Sequence, residues 1–281
     1  MRSEARLLAL LGVASIAALG CEPAPVADDP SLDPAVRVAA CTPDNDGVLE
    51  AGELAFVPDL KARYRVRESA IDFDTAGRLE EGVTVWDLSR PDPESEPVAR
   101  LGLSALAGQW FAGDFPGADL VVPLDTRGDT LGAVHADEGG LHLHGFASAQ
   151  ESPPEGRTLA VYQAPVTLTP LPMALGGAWT ETVRASNATL LGLPGTFDDA
   201  YEVEVTGQGR VILPDLILEN TLRVTLRLER TLLAGEVRQI SHVWMHECLG
   251  EVARATGPLL PLSEPYPDEL TTIVELRRLS L

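Results

Sequence analysis

Lysine is almost missing from this sequence. Lys61 is the single lysine among 21 basic residues, and the other twenty are arginines. Against them stand 42 Asp and Glu, a formal net charge of −21. That balance repels phosphates, so nucleic acid and anionic lipid head groups are poor partners, and cations or basic surfaces are favoured. Long apolar runs are missing too, with one exception near the start, Leu7 to Leu19. Thirteen residues rise only ~20 Å as a helix against a hydrocarbon core of ~30 Å, so no permanent spanning helix is expected. Catalytic signatures are equally scarce. Ser104 in "GLSAL" lacks the second glycine of a nucleophile elbow. There is no phosphate loop, dinucleotide fingerprint or C-x-x-C, and "HEC" at 246–248 lacks the second histidine of H-E-x-x-H. Carboxylates are so frequent that paired-acid hydrolysis is neither indicated nor excluded.

What is present begins with an export signal. Arg2 and Arg6 precede the apolar run, which ends at Gly20-Cys21. A cysteine after a small residue at that point resembles a bacterial lipobox, although Ala18 and Leu19 depart from the preferred residues. The resemblance implies that Cys21 is lipid-modified and becomes the mature N-terminus, anchored in the cell envelope, in the outer membrane rather than the inner. Ordinary cleavage and secretion is the alternative. Loss of residues 1–20 removes Arg2, Arg6 and Glu4, leaving 19 basic and 41 acidic groups, a net −22. "EPAPVADDPSLD" follows, without apolar periodicity, and reads as a disordered tether over 21–33. Two cysteines remain, Cys41 and Cys248; in an exported chain they form either one disulfide or two separate buried thiols.

Between tether and body, over 34–57, lies "CTPDNDGVLEAGEL". With Gly47 at the sixth place it matches the oxygen-ligand spacing of a calcium loop: Asp44 at 3, Asp46 at 5, the Val48 carbonyl at 7, Glu50 at 9 and Glu53 at 12. The segment resembles a degenerate single EF-hand, with Thr42 where the first Asp is expected. The resemblance implies weak calcium binding that stiffens the junction; an acidic solvated turn is the alternative. Asp33-Pro34 is placed to start a short helix over 35–40, and a second helix is expected from Glu53 to Phe56.

From Lys61 the hydrophobic period changes to two. "KARYRVR" alternates Ala62, Tyr64 and Val66 against Lys61, Arg63, Arg65 and Arg67, a half-buried strand with a basic outer face. "GVTVWDL" and "ADLVVPLDTRGDTLGAVHADEGGLHLHGFAS" read as further strands, with turns at 127–129 and 137–140. "AYEVEVTGQGRVILPD" reads as a hairpin turning at Gly207-Gln208-Gly209, and Asn187-Ala188-Thr189 as a loop. "TLRVTLRLERTL" places Leu222, Val224, Leu226 and Leu228 on one face, and "EVRQISHVWMHECLGEVARAT" continues the meander. Short strands with Gly and Pro turns indicate an all-β fold, an antiparallel sandwich, half-barrel or set of curved sheets, divided here into regions 58–170 and 171–281. "TLAVYQAPVTLTPLPMALGGAW", "VTGQGRVILPDLILENTLRV" and "ECLGEVARAT" in that order resemble β-rich secreted proteins of myxobacteria and related envelope-dwelling bacteria, over roughly residues 100–281. The pattern is also similar to periplasmic half-barrels that cradle lipids.

Two histidine pairs are the other candidates. His142 and His144 share a strand face, as do His242 and His246 with Trp244 and Cys248. Imidazoles so placed could bind zinc or copper, or could be plain polar-face residues. Three functions follow as expectations. The first is a non-enzymatic envelope lipoprotein whose β-body binds a protein or small apolar ligand. The second is a metal-dependent enzyme or metal-handling protein, and the third a calcium-stabilised scaffold.

Overall fold

A computed structural model describes residues 41–281, apart from 55, 91–95, 233, 234 and 262. The expected signal over 1–20, the tether over 21–33 with Cys21, and the expected helix over 35–40 lie outside the described residues.

The fold is all-β, and no α-helix occurs among the described residues. Period-two segments dictate thirteen strands along one path: β1 (Lys61–Arg67), β2 (Val98–Gly102), β3 (Ser104–Ala105), β4 (Leu120–Pro123), β5 (Thr130–Asp137), β6 (Gly140–Ser148), β7 (Leu159–Pro170), β8 (Ala178–Leu190), β9 (Leu193–Ile212), β10 (Ile217–Leu232), β11 (Gly235–His246), β12 (Gly250–Thr256) and β13 (Glu275–Leu279). From β3 to β13 each strand pairs antiparallel with its successor; β13 then pairs with β1, and β1 with β2. Three short strands, Arg78–Glu80, Val83–Asp87 and Leu260–Pro261, pair onto this path, making a 16-stranded sheet nearly closed into a barrel. The sheet crosses residue 170 without interruption.

The gap in the barrel falls between β2 and β3, although only Leu103 separates them in sequence. β2 bonds to β1 along one flank, and β3 bonds to β4 along the other. Residues 98–105 are therefore one strand that changes partners midway. Its first half leaves an unpaired edge beside β4, which opens a seam in the wall.

Two local expectations are corrected. Gly207-Gln208-Gly209 is not a turn: β9 runs through it as part of a twenty-residue strand, with register shifts at 205/207 and 209/211. The glycines serve close packing instead. A Cβ on Gly207 would stand 2.9 Å from Trp86 Cζ2, and one on Gly209 would run into the Thr84 carbonyl and stand 3.0 Å from Trp86 Cζ3, so the indole and the neighbouring strand approach where side chains are missing. Asn187-Ala188-Thr189 likewise lies inside β8, at an irregularity between Ala185 and Ala188, with Asn187 at φ 57. The C-terminal segment, open to strand or helix from its sequence, is strand β13.

Alternation decides which face each residue takes. On β10 and β11, Val224, Leu226, Leu228, Val243 and Met245 face the barrel interior. Between them Arg223, Thr225, His242 and Trp244 face outward but stay buried, because residues 71–90 and 266–273 form a second layer there. Trp86, Leu88, Leu270 and Ile273 of that layer pack on Trp244, Val252 and Leu276. Arg278 is also fully buried on this side, donating to the Leu88 and Arg90 carbonyls at 2.7 and 3.2 Å and pairing with Glu96. Removing one partner of such a buried pair typically costs ~3–5 kcal/mol, so this contact fastens the layer to the wall.

Candidate functional site

The barrel interior contains a chamber of about 1030 Å³, at the upper end of the range for ligand pockets. Its apolar wall comes from several strands, among them Leu143 and Phe146 of β6, Val203 of β9 and Leu226 of β10. The segment after the acidic loop stops one end: Leu54, Phe56 and Val57 line the chamber, and Leu49 and Leu54 are buried against Met173, Val205 and Leu222. Cys41 and Cys248 are joined in a disulfide, and the Cys248 N–H donates to the Glu53 carbonyl at 3.0 Å. Of the two possibilities open from sequence, the bridge is the one found, and it is consistent with an exported protein. It ties the stopper to the turn between β11 and β12.

Behind the chamber wall at Tyr201 and Arg230 lies a hydrogen-bonded polar cluster. Asp199, fully buried, accepts from Arg230 Nε and Nη2 at 2.7 and 2.8 Å and from the Tyr162 hydroxyl at 2.5 Å. The Tyr162 and Tyr201 hydroxyls lie 2.8 Å apart, and burial pushes both phenols upward. Arg230 is sandwiched against Phe146 and Phe197, with its guanidinium carbon 4.9 and 4.5 Å from their ring centres. Arg230 falls on the same alternating face of β10 as Leu226 and Leu228, and so lines the chamber with them; its partner Asp199 was not legible in the sequence, because the pair is made across strands. A second polar stretch of wall carries Glu251, Arg254, Glu275 and Arg277. Burial would raise Glu251, but Arg254 at 2.6 Å and Arg277 at 3.6 Å outweigh it and hold the carboxyl below its usual range.

The acidic loop adopts the sharp turn expected at Gly47, which has φ +83; a Cβ there would run into the Gln208 amide. Its carboxylates divide into two groups. Asp44 and Asp46, both exposed, offer oxygens within 4.8 Å of each other and of Glu247, which follows β11. Glu247 is buried; its Oε2 accepts from the Asn45 N–H at 3.0 Å, and its Oε1 has no hydrogen-bond partner. These three carboxylates could hold a metal ion. Glu50 and Glu53 form a reciprocal capping box around the 3-10 turn Ala51–Glu53. The helix expected from Glu53 to Phe56 is not formed among the described residues: the turn ends at Glu53, and Leu54 is extended. Burial raises the Glu53 carboxyl, the bond from Glu50 N–H opposes this, and Glu247, Asp44 and Asp46 raise it further. The Val48 N–H donates to Asp46 at 2.7 Å, and Val48 itself pairs with Ala174; Thr42 is exposed. Glu247, 202 residues from Asn45, carries no sequence signal for this site.

The histidine pairs are not brought together. His142 and His144 are on β6 and His242 is on β11, with four strands between along the sheet. His142 pairs across strands with His135 and bonds Asp137 at 3.1 Å and Thr167 at 3.3 Å. His144 lies over Gly117, its imidazole held below the usual range by burial and then by His135 and His142. His242 is fully buried beside Trp244 with Nδ1 3.0 Å from the Thr225 hydroxyl, and burial together with Arg223 and Arg227 lowers it to about 3. The His246 Nδ1 lies 2.6 Å from the Glu247 carbonyl. Among the described residues the only group of three metal-capable side chains within reach of one ion is Asp44, Asp46 and Glu247.

No protein family, curated protein or solved structure matches the chain.

Proposed function

We propose that this is an envelope lipoprotein, anchored through acylated Cys21, that holds a small apolar or amphipathic ligand in its barrel without chemistry. The observation that carries the reading is the chamber: about 1030 Å³, walled by Leu, Val, Phe and Met and stopped at one end by a disulfide-tied plug. A barrel of this strand number whose interior side chains leave such a space, rather than filling it, suits a ligand that gains ~0.8 kcal/mol per buried methylene. The test is displacement of a fluorescent apolar probe, N-phenyl-1-naphthylamine. Wild type should bind about one equivalent, and Leu226→Trp, which fills the space from the middle of β10, should weaken binding by about tenfold or more. Equal binding by both proteins would count against the chamber. For the anchor, labelled fatty acid should enter wild type and not Cys21→Ser; equal labelling removes it.

A second reading concerns the acidic loop. We propose calcium as the ion for Asp44, Asp46 and Glu247, as a brace between the plug and the β11–β12 turn. The support is the buried Glu247 Oε1, an acceptor without a donor, which a hard cation would satisfy.

A further inference from the structure

We infer that the chamber is built for an uncharged facial amphiphile: a rigid apolar skeleton with several hydroxyls along one flank, as in a polyhydroxylated steroid. This rests on the chamber reading and specifies the ligand class.

The strand register divides the chamber lengthwise. Residues paired across two strands share a face, so inward positions can be matched level by level. On β11 and β12 the inward pairs are Met245 with Glu251 beside the plug, then Val243 with Arg254, then Ser241 with Thr256. On β12 and β13 they are Arg254 with Arg277 and Thr256 with Glu275. Polar side chains therefore stand at each of these levels along β12. On β10 the same levels are apolar: Val224 stands beside Val243, Leu226 beside Ser241 and Leu228 beside Gln239. Val203 of β9 continues the apolar wall next to Leu226. Met245 and Gln239 lie six residues apart on β11, ~20 Å of strand. A head-to-tail amphiphile calls for polarity at one end of such a length. Here polarity runs along one flank.

The charges of this stripe cancel. Glu251 pairs with Arg254 at 2.6 Å and with Arg277 at 3.6 Å, and Glu275 pairs with Arg277 at 2.9 Å, two acids against two guanidiniums. The stripe thus selects neither sign of ligand charge, and Arg230 is likewise matched by Asp199. On β1 the inward residues are Ala62 and Tyr64, since Tyr64 pairs with Leu279; Lys61 and Arg63 alternate to the outer face. Hydrogen-bonding capacity is left over all the same. Gln239 donates through Nε2 to the Gly257 carbonyl at 3.2 Å, which leaves its Oε1. Thr256 accepts from the Ser241 hydroxyl at 3.1 Å, which leaves its own O–H. Arg254 donates to Glu251 through Nε and Nη2, which leaves Nη1, and Glu275 accepts on Oε1, which leaves Oε2. Donors and acceptors side by side suit hydroxyls, which act as both. A bare hydrocarbon against the stripe would take water from these groups and return no hydrogen bond.

The experiment displaces N-phenyl-1-naphthylamine from the purified full chain with three compounds, each below its micelle-forming concentration. Methyl cholate carries three hydroxyls on one face of its ring system. Methyl lithocholate is the same ester and skeleton with a single hydroxyl at one end. Laurate has its polar group at one end of a chain and reports on the apolar wall. All three should displace the probe. Methyl cholate should do so at about tenfold lower concentration than methyl lithocholate, although it is the less apolar of the two. Gln239→Leu/Thr256→Val removes hydroxyl partners without stranding an ion pair. It should erase or reverse that order, and continued displacement by methyl lithocholate shows that the barrel is intact. Equal or tighter binding of methyl lithocholate by wild type, or a methyl cholate preference that survives in the double variant, would overturn the facial match and leave the chamber standing. Displacement by laurate alone would do the same. Failure of all three compounds would overturn the chamber itself.

Discussion

The disulfide offers the largest single perturbation. Cys41 and Cys248 are separated by 207 residues, so the bridge closes nearly the whole described body into one loop. In the chain-entropy treatment the unfolded state loses 2.1 + 1.5R ln n cal/mol/K, and a loop of this size gives about 5 kcal/mol at 25 °C. That is an upper bound, because the unreduced chain keeps residual structure when denatured. It is also a large share of the ~5–15 kcal/mol that keeps a domain folded. Without the bridge the plug still holds through Leu49 and Leu54, both buried, and through strand Val48–Leu49 paired with Met173–Ala174. The double variant Cys41→Ser/Cys248→Ser should therefore fold, but with a stability lower by about 3–5 kcal/mol. Urea unfolding followed by the fluorescence of buried Trp86 and Trp244 measures this, with the slope fitted separately because an uncrosslinked denatured chain exposes more surface. A loss below about 1 kcal/mol would refute the loop-entropy reasoning and mean that the bridge constrains nothing the fold does not already hold.

Calcium at tenfold excess over its dissociation constant should stabilise wild type by ~1.4 kcal/mol in calorimetric melts; Glu247→Gln should abolish that gain, and Glu53→Gln, whose carboxylate is spent on the capping box, should not. If Glu53→Gln alone abolishes it, the ligand set read from sequence spacing is the correct one. His242 has a folded pKa lowered to about 3, so the unfolded chain binds its proton first as pH falls; stability from this residue is complete above pH ~6.5 and is lost progressively between ~6.5 and 3. Glu269 approaches His242 at 3.8 Å but already serves Arg223 at 2.7 Å, and so does little to hold the proton. His242→Gln should flatten the stability–pH curve in that window, and an unchanged slope would show the imidazole to be charged or exposed. Asp199→Asn should cost ~3–5 kcal/mol by stranding Arg230, and Asp199→Leu/Arg230→Met should cost less; a double variant as damaged as the single would locate the loss in packing instead.

The strands were legible because period two survives even where both faces are buried. Lys61–Arg67, Thr130–Asp137 and Gly140–Ser148 fall where alternation and turn residues place them. Glycine misled at 207 and 209, since the same absence of a side chain serves a turn or a close neighbour, and only the positions of Trp86 and the Thr84 carbonyl distinguish the two. The acidic loop was half legible: Asp44, Asp46 and Gly47 are local, whereas Glu247 arrives through the fold. The pairing of Cys41 with Cys248 was one of two open possibilities until geometry brought their Cα atoms to 5.5 Å. The chamber left no sequence signal, because an inward-facing Leu226 or Val243 has the same pattern in a filled barrel as in a hollow one.

Methionine provides the most direct test of the hollow barrel. The chain has three, and the two outside the first forty residues, Met173 and Met245, both line the chamber and are buried. Protein carrying 13C-methyl methionine should show their two methyl signals moving together as laurate is titrated to one equivalent, with nuclear Overhauser contacts from both methyls to the acyl chain. Bound laurate with both methyl signals unmoved would place the ligand elsewhere and contradict the chamber as the binding site.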